Sequence, residues 1–304
     1  MTRQQIVSNL KGIFTPVVTP FGRRGEVDEA KFCENLRRLA GIGLSGMIVA
    51  GSTGEAPYLA ERERLRLVEV ARRIVRPPEL LIAGTGLEST QETIRLSREA
   101  IARGADALLV VTPNYYKSRM DERALTTHYH AVADAVRRPV IVYSIPQFTG
   151  IRMEASTIGR ISRHPNVVAL KDSSGDVPSL RKVLGKVRPG FRVLVGAVAI
   201  FFDALREGAV GAVLGQSNFV PELCLGLYEA FMHGKFKTAR EFQQRLIPLA
   251  QKVAVPFGIP GVKAALDLCG FPGGPPRLPL QPLNAAQRRL VAAALHEARQ
   301  GLDY

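Results

Sequence analysis

A chain of 304 residues with 46% hydrophobic and 22% charged residues has the composition of a soluble globular protein, long enough for one large α/β barrel or two ordinary domains. It holds no apolar stretch that could span a bilayer, and Met1–Gln5 has neither a signal peptide's apolar core nor a transit-peptide pattern, so a cytoplasmic location is expected. The formal charge of +14 comes from arginines spread over many predicted helices (Arg37, Arg38, Arg62, Arg64, Arg66, Arg72, Arg73) rather than from a basic block interleaved with aromatics; this argues against a nucleic-acid or membrane partner and is compatible with steering an anionic substrate.

Short β-type runs alternate with helical patterns about eight times. The runs are Ile13–Val18, Gly46–Ala50, Leu80–Ala83, Ala107–Val111, Val140–Tyr143, Val167–Leu170, Arg192–Val195 and Gly211–Leu214. They are apolar without clear alternation, as parallel strands covered on both faces should be. Between the first two, Phe32, Cys33, Leu36, Leu39 and Ala40 recur at helical spacing after Asp28, a plausible N-cap. Ser89-Thr90-Gln91-Glu92 reads as a capping box opening the helix through Ile101, and Asp121 caps a helix carrying Leu125, His128, Tyr129, Val132 and Val136. Eight β–α units argue for a (β/α)₈ TIM barrel of the α/β class rather than an open sheet. After Pro221 the β-type runs stop. Pro221–His233, Lys235–Val253, Gly261–Cys269 and Asn284–Arg299 look helical, around a Pro/Gly-rich loop at Phe271–Pro276. The expected organisation is a catalytic barrel over residues 1–220 with a C-terminal helical region over 221–304.

In a barrel, chemistry sits at the C-terminal ends of the strands. Strand two runs into Gly51-Ser52-Thr53-Gly54-Glu55, whose two hydroxyls and free backbone N–H groups can cradle a carboxylate or an oxyanion. Strand four leads into Thr112-Pro113-Asn114-Tyr115-Tyr116, with two phenols. Strand five ends at Tyr143, a phenol able to shuttle a proton. Lys171 follows Val167–Leu170 directly, where an ammonium is costly to desolvate and a neutral amine would be a nucleophile toward carbonyl carbon. Taken singly, each has a bland reading in turn chemistry or packing; one barrel rim would bring them together. Lys263 competes with Lys171, but lies on a predicted helix outside the barrel and reads as structural.

Other motifs drop out. Gly41-Ile42-Gly43-Leu44-Ser45-Gly46 spells GxGxxG but follows a helix and precedes a strand, the reverse of a dinucleotide site. His128 and His130 are the only close histidine pair and face different ways on a helix, so no metal site is expected. Cys33, Cys224 and Cys269 are odd in number, lack metal-ligand spacing and read as reduced core residues.

With these residues in view, the chain resembles the pyruvate-dependent class I aldolase family of dihydrodipicolinate synthase and N-acetylneuraminate lyase. The likeness runs from about Gly12 to the last helix. It rests on Gly51–Glu55, Gly84-Thr85-Gly86, Val111–Tyr116, Tyr143-Ser144-Ile145-Pro146 and Leu170-Lys171-Asp172. The resemblance implies that Lys171 forms a Schiff base with pyruvate and that Tyr143 shuttles the proton, and Ser52 and Tyr115 are expected to link that relay. It further implies that Ser52 and Thr53 bind the pyruvate carboxylate, and that Tyr115 is lent across a subunit interface of a homotetramer built as a dimer of dimers. Ser173 is expected to line the pocket. No cofactor or metal is expected, because the iminium itself supplies electrophilic activation.

One position departs from the synthase pattern. Where those enzymes carry an arginine that grips the carboxylate of aspartate semialdehyde, five residues after the tyrosine, this chain has Phe148. A phenyl ring cannot make that bidentate contact. The segments around Glu88–Gln91, Tyr143-Ser144, Lys171–Val177 and Phe257–Lys263 resemble more the 4-hydroxy-2-oxoglutarate aldolase branch, which releases pyruvate and glyoxylate. The alternative is a dihydrodipicolinate synthase in which Lys117 or Arg119 replaces the missing cation. A non-catalytic pyruvate-binding or nucleic-acid-binding relative is the remaining alternative, which the intact lysine, tyrosine and hydroxyl set opposes.

Overall fold

Eight short strands close into a single parallel barrel in the computed structural model of the chain, which describes residues 1–300. They are β1 (Gly12–Pro16), β2 (Gly46–Val49), β3 (Leu80–Gly84), β4 (Ala107–Val111), β5 (Val140–Ser144), β6 (Val167–Asp172), β7 (Arg192–Val195) and β8 (Gly211–Val213). Each pairs with its sequence neighbour, and β1 pairs with β8 to close the ring. Closure brings two backbones very close. A methyl group on Gly211 would lie 2.1 Å from the Gly12 carbonyl oxygen, so no side chain fits there.

Helix α1 (Arg3–Asn9) precedes the barrel. The outer ring is built from α2 (Glu29–Leu39), α3 (Glu61–Arg72), α4 (Thr90–Ala102), α5 (Glu122–Val136), the short α6 (Pro146–Thr149), α7 (Ala155–Ile161), α8 (Val177–Leu184) and α9 (Phe201–Glu207). The strands are apolar on both sides. Phe14, Ile48, Ile82, Leu109, Ile141 and Leu194 point into the barrel, and Met47, Leu81, Val110, Val142 and Val193 pack outward against helices. This double coverage is why the sequence carries no polar alternation. Ile6 and Leu10 join the inner cluster and plug the N-terminal end, where Arg3 bonds to Asn166 and to the Pro165 carbonyl. The open end is the other one.

Local chemistry sets the helix starts. Asp28 and Asp121 accept from the backbones of Lys31 and Ala124 as N-caps. At α4 only half of the expected capping box forms. Ser89 accepts from Glu92 N, while the Glu92 carboxylate turns to Arg95 at 2.8 Å, a stronger, charge-assisted partner. The three cysteines form no disulfide, and among the described residues no helix is long and apolar enough to cross a membrane.

After β8 come α10 (Pro221–Met232), α11 (Phe236–Leu249), α12 (Val255–Leu268) and α13 (Ala285–Arg299). The last four residues of the helical region expected over 221–304 lie outside the described ones. One boundary differs from expectation. The break expected between Val253 and Gly261 is helical, because α11 runs through a wider turn at Ala250–Ala254 into α12. The chain kinks at Gly258 (φ 54°, ψ −137°), so Pro260 falls in a fresh first turn, where its missing N–H costs nothing. Asn284 and Gln287 form the expected capping box on α13.

His128 and His130 do face apart. His130 stacks near His164, at 5.2 Å between rings, while His128 is buried on α5 with Nδ1 2.9 Å from Thr90 Oγ1. Burial holds the His128 pKa down at about 4, below the ordinary 6.5. Between those values the unfolded chain binds the extra proton, so stability rises with pH through the window. It is lost as pH falls from 6.5 toward 4, by roughly 3 kcal/mol at most. Denaturant melts of His128→Gln should show a shallower decline over that range than the parent; an unchanged slope would remove His128 from the acid limb.

Candidate active site

Tyr143 and Lys171 are register partners on adjacent strands β5 and β6. Lys171 Nζ lies 4.0 Å from the centroid of the Tyr143 ring, and the two residues are only 4% and 3% exposed. Lys171 stands within β6 rather than beyond its end as the sequence suggested. The strand continues because Lys171 and Asp172 still pair with Tyr143 and Ser144 on one side and Leu194 and Val195 on the other. With Ala169 in the inner cluster and Leu170 in the outer one, Lys171 falls on an inward position. Asp172 does not pair with it. Its carboxylate accepts from the Ser174 backbone at 2.9 Å and from the Ser174 hydroxyl at 3.1 Å, and burial pushes its pKa up.

Gly196, just after β7, leaves the room this arrangement needs. A methyl group there would sit 3.2 Å from Lys171 Cε and 1.9 Å from Ser173 Oγ. The smallest side chain would therefore displace the lysine or the serine.

A cavity of about 610 Å³ opens at the C-terminal mouth. Its wall includes Ser52, Tyr143, Thr112, Arg64 and Phe148. Lys171 lies behind the Tyr143 ring rather than on the wall itself. Ser52 and Tyr143 share the cavity without a direct hydrogen bond. Phe148, on α6 and 63% exposed, stands at the mouth. Thr53 is half-buried in the loop after β2, off the wall. Ser173 is buried and also off it, its carbonyl accepting from Gln147 Nε2 at 2.9 Å. Tyr115 does not join the lysine within its own chain. It is 76% exposed, edge-on to Tyr116, with its backbone N–H held by Glu88 at 2.9 Å.

Two wall residues escaped the sequence reading. Thr112 is buried with a hydroxyl that bonds to no group among the described residues. Its position at a strand end was a usable signal, overshadowed by the tyrosines beside it. Arg64 is buried on α3, with Nη2 donating to the Ala56 carbonyl at 2.6 Å. It lies on the helical stripe of Val68 and Ala71, and a cation on an apolar stripe is a sign of burial with a purpose. Lys263, read as structural, is buried in α12 and ion-paired with Glu55 at 2.6 Å.

The model of the dihydrodipicolinate synthetase family matches residues 9–298. The chain is 35% identical to a 4-hydroxy-tetrahydrodipicolinate synthase of Bartonella bacilliformis over 292 residues, covering 95% of this chain and 98% of the relative. It is 38% identical to the synthase of the same name from Symbiobacterium thermophilum over 287 residues, covering 94% and 97%. Among solved structures it is similar to YagE, a prophage protein of E. coli K12 in the dihydrodipicolinic acid synthase family, in complex with pyruvate. That likeness has a TM-score of 0.90 and 29% identity, over 95% of this chain and 99% of YagE.

Proposed function

This chain belongs to the dihydrodipicolinate synthetase family, whose members are aldolase-type lyases, and from that premise we propose that its Lys171 forms a Schiff base with the keto carbon of pyruvate. The observation that carries the reading is the packing of Lys171 Nζ, 4.0 Å away, against the ring of Tyr143, which itself lines the cavity. The amine adds to C2, water leaves, and the resulting iminium draws electrons from C3. Tyr143, left as phenolate after protonating the departing hydroxyl, removes a C3 proton to give the enamine, which attacks an aldehyde carbon. The same phenol returns its proton to the new alkoxide. Run backwards, these steps cleave a 4-hydroxy-2-keto acid. Ser52 and Thr53 receive the pyruvate carboxylate through hydroxyl and backbone N–H groups.

For the second substrate, the names of the curated relatives support condensation with aspartate semialdehyde, and support it better than the aldolase branch that the sequence put first. Lys117 adds to this. Its ammonium packs against the turn that ends α6, 3.1 Å from where a methyl on Gly150 would lie, close to the position of the missing arginine. The second reading, cleavage of 4-hydroxy-2-oxoglutarate to pyruvate and glyoxylate, is favoured by Phe148 itself, an aromatic ring on the wall where the synthase pattern asks for a cation. A homotetramer fits both readings, and the exposure of Tyr115 and Tyr116 supports a chain that offers them to a partner copy.

Parallel assays separate the two. Turnover of pyruvate with aspartate semialdehyde, with 4-hydroxy-2-oxoglutarate inert, is the result expected of the first reading. Pyruvate release from 4-hydroxy-2-oxoglutarate alone would overturn it in favour of the second.

A further inference from the structure

The Gly51–Glu55 loop ends in a carboxylate that solvent does not reach. Glu55 Oε1 stands 2.6 Å from Lys263 Nζ, with the two side chains 0% and 1% exposed. Glu55 Oε2 accepts from the backbone of Arg277 at 2.9 Å. Lys263 also donates to the Pro275 carbonyl at 2.9 Å and lies 4.5 Å from the centroid of the Phe21 ring. Arg277 packs on the same ring, takes both oxygens of Glu63 at 2.7 Å, and donates to the carbonyls of Gly25 and Tyr58. Phe21 and Gly25 follow β1, Glu55 and Tyr58 follow β2, and Lys263 and Arg277 belong to the C-terminal region. Three distant segments are thus tied together at one buried ion pair.

Stability alone is a poor reason for such a pair, because desolvating both ions consumes most of their attraction and an apolar pair often does as well. The backbone suggests another reason. Ala50 (φ 54°) and Glu55 (φ 57°) both sit in the left-handed region, one at each end of the loop, and non-glycine residues stay there only when their surroundings hold them. We propose that Lys263 is a positioning residue, which through Glu55 holds Ser52 and Thr53 in the shape that receives the carboxylate of the keto acid. The C-terminal helices would then be part of what makes the barrel rim competent. This inference rests on the assignment of that loop to the pyruvate carboxylate.

The test is the pyruvate concentration that half-saturates borohydride trapping at Lys171, read by mass spectrometry on the full chain. Lys263→Met strands the Glu55 carboxylate, and its half-saturating concentration should rise on the order of tenfold, with labelling at saturation retained. The double variant Lys263→Met with Glu55→Gln, which leaves no lone charge but also no tie between the loop and α12, should show a comparable rise. A half-saturation within about twofold of the parent in the folded single variant, whatever its melting temperature, overturns the proposal. So does a double variant restored to the parent's half-saturation, which would make the single variant's loss that of a stranded charge and not of the tie. Should Lys263→Met fail to fold, Glu55→Gln alone, nearly isosteric, is expected to show the same rise, and its absence has the same meaning. A parent chain that traps no pyruvate would remove the Schiff-base reading and this inference with it; a parent that traps normally beside indifferent variants removes only the positioning role.

Discussion

Lys171→Ala is expected to lose turnover by about 10³-fold or more while melting within a few degrees of the parent. The size follows from the chemistry. Without an amine no iminium forms, and no neighbouring group can take its place, since Asp172 is engaged with Ser174 and the other buried lysine, Lys263, is committed to Glu55. The fold should survive, because Lys171 makes no ion pair among the described residues and its strand is held by backbone pairing to β5 and β7, which alanine keeps. Lys171→Arg sharpens the point. It preserves positive charge but offers no nucleophile at any ordinary pH, so activity should be lost equally. Appreciable turnover in either variant would contradict the role given to this residue.

Tyr143→Phe should slow the reaction by about 10²–10⁴-fold. The phenyl ring keeps its place in the inner cluster and its contact with Lys171, so packing changes little and only the hydroxyl is lost. Pyruvate should still be trapped on Lys171 in this variant, since the proton steps on carbon fail while the amine remains. A loss smaller than about threefold would take Tyr143 out of the proton relay.

The barrel was legible because each strand is an apolar run ended by glycine, proline or a polar residue, and the helices between them carry readable caps at Asp28, Ser89 and Asp121. Lys171 stood out for one reason, a cation at the end of such a run. That it belongs to the strand was not legible, because strand ends depend on pairing with neighbours, and the β5–β6 register carries a shift at Val140/Ile141 that no local pattern shows. The stretch before Gly261 read as a break because Pro256, Gly258 and Pro260 all disfavour helix interiors; in the fold a kink converts Pro260 into a helix-start residue. The tie between Glu55 and Lys263 was invisible for a plainer reason. Its partners are far apart in sequence, and only the return of α12 over the loop after β2 brings them within 2.6 Å.

The most direct test of the account is reduction of the intact protein with borohydride in the presence of pyruvate, followed by peptide mapping. A single reduced pyruvyl adduct is expected on the peptide that carries Lys171, absent without pyruvate and absent in Lys171→Ala. The second buried lysine, Lys263, makes the outcome informative, because burial lowers its pKa and so favours the free amine. An adduct on Lys263, or none on any lysine, would contradict the central claim.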